Sequence, residues 1–150
     1  MVELAAREAL LQDVADGRVA LSDVGGLSSD DVFAIARVGA AAMQGGRFAQ
    51  AASVFRALQA LQPRVTVHGL HLALALQGDA DIDGAIAAIS DVLGRLVDRD
   101  DDEVARALLL RAELLGRTDR DRALADLVRA RALSSTAARS VVDAAIPGRR

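Results

Sequence analysis

The chain has 150 residues, a formal charge of −3 at pH 7, and no Cys, Trp or Tyr. The lack of Cys excludes disulfides, thiolate metal sites and Cys nucleophiles, and two His leave little for a catalytic triad or a His-rich metal centre. A mildly negative charge gives no reason to expect nucleic-acid binding. With 32 Ala and only 2 Pro, the composition predicts an all-α protein, and we expect neither a metal nor another cofactor.

Residues 1–27 are predicted to form an N-terminal helix and its connection. The helix ends at Asp16-Gly17, and the charged Glu3 and Arg7 interrupt the apolar stretch that a signal peptide would need. The longest apolar run, near Leu72 to Leu76, is too short to span a bilayer. We therefore expect a cytoplasmic protein that does not insert into membranes.

The first repeat, residues 28–63, begins with a helix start signal. Ser28 is a favourable N-cap, and two Asp in the first turn suit the helix dipole. Gly45-Gly46 stops this helix, and Pro63 stops the next one. The repeat is thus an αα-hairpin with helices from Ser28 to about Gln44 and from Arg47 to Leu61.

Residues 64–97 are predicted to form a second hairpin, because the pattern of small and large residues in the first hairpin recurs there, 34 positions further along the chain. Small residues let helices cross closely, and large ones fill the space between hairpins. A period of 34 is typical of the tetratricopeptide repeat. The matched pairs are Gly39 with Ala73, Ala51 with Ala85, Phe55 with Ile89, and Leu58 with Val92.

Residues 98–133 are predicted to form a third, looser hairpin. Asp100 to Asp102 start its first helix, which runs to Leu115, and Asp121 to Leu133 form the partner helix. Ala123 follows Ala85 by 38 positions, so the turn or linker is longer here.

Five arginines make the third hairpin locally basic. Asp119, Asp121 and Asp126 are interspersed among them, which favours surface ion pairs over nucleic-acid contacts. The arginines are Arg117, Arg120, Arg122, Arg129 and Arg131.

Residues 134–150 contain a last short helix, about Thr136 to Ile146, that is placed to cap the stack. The predicted architecture is a single domain, 1–150, of all-α class. Three tetratricopeptide-like helical hairpins form an α-solenoid, flanked by an N-terminal helix and a C-terminal capping helix.

The first repeat reads LSSDDVFAIARVGAAAMQGGRFAQAASVFRALQAL. It combines a Ser-rich start, a Gly-Arg-aromatic turn, an Ala at the helix crossing and a Val-Phe-x-x-Leu run. In this order of features, residues 17–92 resemble the class II chaperones of type III secretion systems (the SycD/LcrH/IpgC-like group), a tetratricopeptide-repeat family. The resemblance weakens beyond Leu96, although Ala112 to Leu115 fit the opening of the family's third repeat.

The resemblance implies a cytoplasmic chaperone without catalytic activity. Members of the family bind the hydrophobic translocator proteins before export and keep them soluble. An extended translocator segment lies in the concave groove formed by the first helices of the repeats.

Carried over by position, the family's groove aromatics fall on Ala36, Met43 and Phe48, and a groove leucine falls on Leu61. Only Phe48 and Leu61 keep the family's character, so the groove is expected to be wider and more aliphatic. Core packing of Met43, Phe48 or Phe55 is the competing prediction, because apolar residues at helical spacing usually pack inward. Four further repeat positions are predicted to face the same groove: Ala40, Leu70, Leu74 and Gln77.

Two patterns suggest metal binding. Asp79 to Gly84 imitates the start of an EF-hand loop, but its twelfth position is Ser90 rather than Glu. A turn followed by an acidic helix start is therefore the favoured interpretation. His68 and His71, three positions apart, lack an obvious third ligand.

The main functional hypothesis is therefore a type III secretion chaperone for secreted translocator proteins. A generic tetratricopeptide-repeat scaffold and a needle-subunit or export-apparatus chaperone are the alternatives within this fold, and a calcium-responsive domain is the alternative outside it. A homodimer is compatible with the sequence, because an N-terminal helix can cover the apolar end of a stack in its own or in a second copy.

Overall fold

A computed structural model describes residues 27–97 and 102–133, together with Ala9 and Asp13. The described residues form six helices and no strand, which confirms the all-α class. The predicted N-terminal and C-terminal helices lie outside this described part. The helices are α1 (Ser29–Gln44), α2 (Phe48–Leu61), α3 (Thr66–Gly78), α4 (Ile82–Arg95), α5 (Asp102–Leu115) and α6 (Arg120–Ala132).

The chain forms two units, which are divided between Asp81 and Ile82. In the first unit, α2 packs against both α1 and α3. In the second unit, α5 packs against both α4 and α6. Within the described ranges, no helix combines the length and apolarity that crossing a membrane requires.

The start of α1 is fixed by a reciprocal pair of hydrogen bonds. The Asp31 amide donates to Ser28 Oγ at 3.3 Å, and the Ser28 amide donates to Asp31 Oδ2 at 2.9 Å. This capping box satisfies two backbone amides that lack partners inside the helix. At the start of α6, Asp119 Oδ1 accepts from the Arg122 amide at 3.1 Å in the same manner.

The turns after α1 and α3 have the same backbone geometry, 34 positions apart. In each turn one amide donates to the carbonyl five residues back and the preceding amide donates to the carbonyl three residues back, which is the Schellman pattern. Each turn has one residue in the left-handed region, Gly46 with φ 70° and Ala80 with φ 63°. The bonds are Arg47 N to Ala42 O (2.8 Å) and Gly46 N to Met43 O (3.0 Å), matched by Asp81 N to Leu76 O (2.9 Å) and Ala80 N to Gln77 O (3.1 Å).

The core of the first unit is built around the Phe55 ring of α2. On one side the ring contacts α1 so closely that a Cβ on Gly39 would lie 2.9 Å from Phe55 Cζ. On the other side it contacts the His71 ring of α3, with 4.9 Å between ring centroids. Phe55 is therefore a core residue, and it contacts both α1 and α3.

The second unit combines an apolar cluster with a buried ion pair. Ala112 and Leu115 of α5 pack with Ala123 of α6 in the cluster. Arg111 Nε and Nη2 each donate to an Asp126 oxygen at 2.7 Å. The predicted surface position of Asp126 was wrong, because this bidentate pair with Arg111 allows its carboxylate to be buried between α5 and α6.

The close approach of Phe55 to α1 predicts that Gly39→Ala destabilises the protein. The new methyl group would also lie 3.0 Å from Val54 Cγ1, so packing strain of about 1–3 kcal/mol is expected to exceed the gain of about 1 kcal/mol in helix propensity. The control is Gly94→Ala in α4, where no described atom lies within 4 Å of the added Cβ and a small gain is expected. Urea unfolding measures the free energy of unfolding of both variants. If Gly39→Ala stabilised the protein as much as Gly94→Ala does, this description of the core would be contradicted.

The matched turns predict opposite effects for two reciprocal substitutions. Ala80→Gly is expected to raise the free energy of unfolding by about 1 kcal/mol, because glycine adopts a positive φ without the steric cost that Ala80 carries. Gly46→Ala is expected to lower it by a similar amount. Thermal unfolding of both variants tests the pair, and a loss of stability in Ala80→Gly would show that the two turns are not equivalent.

Candidate functional site

Two stripes of uncharged side chains lie outside the core of the first unit, one on α1 and one on α3. Each stripe follows helical spacing over nearly three turns, and corresponding members are 34 positions apart. Six of the predicted groove residues belong to them, and every one of these six is half-buried or exposed. The α1 stripe is Phe33, Ala36, Ala40 and Met43, and the α3 stripe is Val67, Leu70, Leu74 and Gln77; together we call them the α1–α3 surface.

The sequence analysis missed the first member of each stripe. Phe33 is 66% exposed and Val67 is 43% exposed, at equivalent positions of the repeat. Leu74, at 37%, is the third large apolar side chain of this surface that is exposed. Extending the predicted groove positions one turn toward the start of each helix would have identified Phe33 and Val67.

The Phe55 ring of α2 contacts both of the helices that carry the stripes. The ring contacts α1 at Gly39, which lies next to Ala40, and α3 at His71, which lies next to Leu70. The buried residues of α1 lie on a different face of the helix from the stripe. The stripes therefore remain outside the packing that holds the helices together.

The two predicted groove residues on α2 lie at opposite ends of that helix. The half-buried Phe48 packs over the end of α3, where a Cβ on Gly78 would lie 2.6 Å from Phe48 Cε1. Gly78 directly follows Gln77, the last member of the α3 stripe, in the sequence. Leu61 is also half-buried, but it lies 13 residues further along α2, about 20 Å from Phe48 along the helix axis.

A buried histidine lies in α3 directly after Val67. His68 is 6% exposed, and its Nε2 donates to Gln62 Oε1 at 2.9 Å. Its Nδ1 is buried and has no hydrogen-bond partner within the described part of the chain. Burial lowers the pKa of His68, and the nearby His71 lowers it further. Burial also lowers the pKa of His71, so both rings favour the neutral form.

The possible metal-binding patterns have other structural roles. His68 is bonded to Gln62 and His71 stacks on Phe55, so the two rings have different partners. Asp79 caps the end of α3 and the Asp81 amide closes the following turn. Among the described residues, no three His, Asp or Glu side chains come together in an arrangement that could hold a metal ion.

Comparison with known proteins identifies the class to which this fold corresponds. No protein-family model and no curated protein matches the chain. Solved structures do match it. The neighbours include type III secretion translocator chaperones, and their tetratricopeptide-like helical fold is the fold described above, which confirms the resemblance inferred from the sequence.

Three of the matching structures show the extent of this similarity. PcrH, in complex with the chaperone binding region of PopB, has a TM-score of 0.70 and 25% identity, covering 81% of this chain and 97% of that chain. SycD of Yersinia enterocolitica, in complex with a peptide of the translocator YopD, has a TM-score of 0.64 and 22% identity, covering 78% and 93%. A chain of the CopN–Scc3 complex has a TM-score of 0.68 and 21% identity, covering 79% and 68%.

The lowered histidine pKa values predict that the free energy of unfolding decreases as the pH falls from about 7.5 to about 5.5. Unfolded histidines titrate near 6.5, so below that pH the unfolded chain binds protons that the folded chain excludes, and the free energy of unfolding falls. Above about pH 6.5 both states are neutral at these positions, and the effect vanishes.

Urea unfolding across this pH range measures the free energy of unfolding, and His68→Leu is expected to make it depend less on pH. His71→Gln serves as a comparison, because the chain contains no other histidine. An unchanged pH dependence in both variants would contradict the assignment.

Proposed function

We propose that this protein is a cytoplasmic chaperone of a type III secretion system. It binds an extended apolar segment of a secreted translocator protein along the α1–α3 surface, with Phe48 at one end of that surface and Leu61 near the other end of α2. By covering the segment before export, it keeps the translocator soluble.

The observation that carries this proposal is that two stripes of uncharged side chains, half-buried or exposed, lie at equivalent positions of the repeat. Large apolar side chains such as Phe33 and Leu74 usually pack inward, and contiguous exposed ones often mark an interaction site. PcrH and SycD, which have the same fold, are each seen in complex with a translocator segment. The two findings together favour a peptide-binding role.

The energetics of such binding follow from burial of the stripes. Covering apolar surface contributes about 25 cal/mol per Å², and ordering an extended segment costs part of that gain. Because α1 and α3 are already held by α2, the chaperone itself has little to order. We therefore expect a peptide to bind to a surface that exists before the client arrives.

No catalytic chemistry is part of this proposal, and the chaperones among the neighbours are not enzymes. A scaffold with the same fold is the main alternative. It would bind folded proteins through other faces of the repeats, so substitutions on the α1–α3 surface would leave its partners bound. The two functions therefore differ in which face of the first unit is required to bind partners.

The proposal predicts that Leu74→Asp abolishes client binding while the protein remains folded. A carboxylate in the middle of the α3 stripe would lose its hydration when an apolar segment covers it, so affinity is expected to fall at least tenfold. The matched control is Val65→Asp, because Val65 is 38% exposed, Leu74 is 37% exposed, and Val65 lies outside both stripes at the N-cap of α3.

The measurement is affinity capture from the cytosol of the native cell by the wild type and by both variants, with mass spectrometry of the bound proteins. Retention of a secreted protein with long apolar segments by wild type and Val65→Asp, and its loss from Leu74→Asp, is the expected result. Capture only of soluble folded proteins, unaffected by Leu74→Asp, would overturn the proposal in favour of a scaffold.

A further inference from the structure

We infer that the exposed side of α6 binds an amphipathic α-helix of a second protein, one whose apolar residues are flanked by Glu or Asp. This interaction goes beyond the proposed client binding, and it uses residues outside the α1–α3 surface. It follows from the packing that fixes the orientation of α6, from the apolar side chains on its outward side and from the sign of the charges beside them.

The orientation of α6 is fixed by its contacts with α5. Ala123 packs in the apolar cluster of the second unit, and Asp126 accepts two hydrogen bonds from Arg111. Ala130 and Leu133 are buried as well. Helical spacing places the buried residues of α6 on one side of the helix. The opposite side is therefore turned outward, and α6 cannot rotate to bury it without breaking the ion pair.

The outward side of α6 carries a contiguous apolar strip. Leu124 is 48% exposed and Val128 is 57% exposed, and the two lie about one turn apart. The same row continues to Ala132, and Ala125 lies in the neighbouring row; both alanines are exposed. Single exposed apolar side chains are common, but a contiguous group often marks an interaction site. We call these four residues the α6 strip.

Arginines border the α6 strip along both of its sides. After Asp121 in the first turn, the one carboxylate of α6 is Asp126, which is buried and paired with Arg111. The exposed charge beside the strip is therefore positive. Helical spacing places Arg120 and Arg131 on the Leu124 side of the strip, and Arg122 and Arg129 on the Ala125 side.

Contacts within α6 do not account for this surface. Arg122 Nε lies 3.8 Å from Asp119 Oδ2 in an exposed ion pair, and such a pair holds a guanidinium only weakly. The helix dipole favours arginines in the last turn, where Arg129 lies. It gives no reason for a leucine and a valine to be exposed beside them.

The α6 strip and its arginines together specify the occupant. The strip is stabilised when an apolar surface covers it, and guanidinium groups at its edges pair best with carboxylates. Leu124 and Val128 form a ridge, and the small Ala125 leaves a groove beside it, a relief that fits the side chains of another helix. A bilayer fits less well, because helices that lie in a membrane surface carry several large residues such as Trp, Phe and Leu, and this strip has one leucine.

The residues that follow α6 in the chain do not supply the carboxylates. Residues 134–150 contain three arginines and one aspartate. They would therefore add positive charge beside a surface that is already positive. Charge complementarity favours an acidic helix of a second protein over this segment.

The first test measures binding of a synthetic helical peptide to the full-length protein by fluorescence anisotropy. The peptide has about 14 residues, enough to follow α6 along its length, with leucines along one face and glutamates at both edges of that face. A control peptide has lysine in place of every glutamate. We expect the glutamate peptide to bind at least tenfold more tightly than the control, and its affinity to fall as salt rises from about 50 to about 500 mM. Equal binding of the two peptides would overturn the inference.

Two pairs of variants locate the binding site. Val128→Asp is expected to weaken binding of the glutamate peptide at least tenfold, because it buries a carboxylate in the strip. Its control is Val97→Asp, at a valine that is 66% exposed and lies outside α6. Arg129→Glu is expected to weaken binding as well, and its control is Arg106→Glu, at an exposed arginine of α5. Both controls are expected to bind as wild type does, and so is Leu74→Asp, because the α1–α3 surface takes no part.

A photocrosslinking amino acid introduced at the exposed Ala125 identifies the partner in the native cell. The expected product joins α6 to an acidic amphipathic segment of a different protein. A crosslink to a second copy of this chain would overturn the inference. Binding of wild type, but not Val128→Asp, to vesicles of phosphatidylglycerol and phosphatidylethanolamine in place of the glutamate peptide would also overturn it. So would a larger loss of thermal stability in Val128→Asp than in Val97→Asp, because the chain's own residues would then cover the strip.

Discussion

The packing of one aromatic ring determines the arrangement of the first unit. Phe55 lies in the core between Gly39 of α1 and His71 of α3, and a side chain at Gly39 would collide with it. Because a phenylalanine ring is rigid and large, it sets how closely α1 and α3 approach α2. A smaller residue at position 55 would leave a cavity, and a side chain at position 39 would push the ring out.

Among the residues that the structure describes, this arrangement leaves one face of α1 and one of α3 outside the packing between helices. A helix in a stack of hairpins buries the face that is turned to its neighbours, and the stripe from Phe33 to Met43 lies away from that face. In α3 the buried residues are more numerous, and the remaining uncovered face carries Leu70 and Leu74. In the proposed function this surface accepts a client, which requires that its apolar residues stay uncovered until the client binds.

The second unit is held together in a different way. Its apolar cluster is made of small and medium residues, and a guanidinium–carboxylate pair, Arg111 with Asp126, lies beside it. Arg111 also donates to Ser90 of α4 at 3.3 Å, so a single side chain connects all three helices of the unit. Hydrogen bonds to Asp126 raise the pKa of Arg111 and so favour its charged guanidinium. Such a bidentate pair fixes geometry more strictly than apolar packing does.

The sequence alone was sufficient to predict the six helices that the structure describes and the 34-residue repeat, because capping residues, Gly-Gly, Pro and apolar spacing act over a few residues. It also predicted the faces of α1 and α3, since helical periodicity is local. Only the tertiary structure showed that Phe33 and Val67 are exposed and that Asp126 is buried against Arg111. Exposure and pairing depend on which distant helix covers a face, and periodicity within one helix does not contain that information.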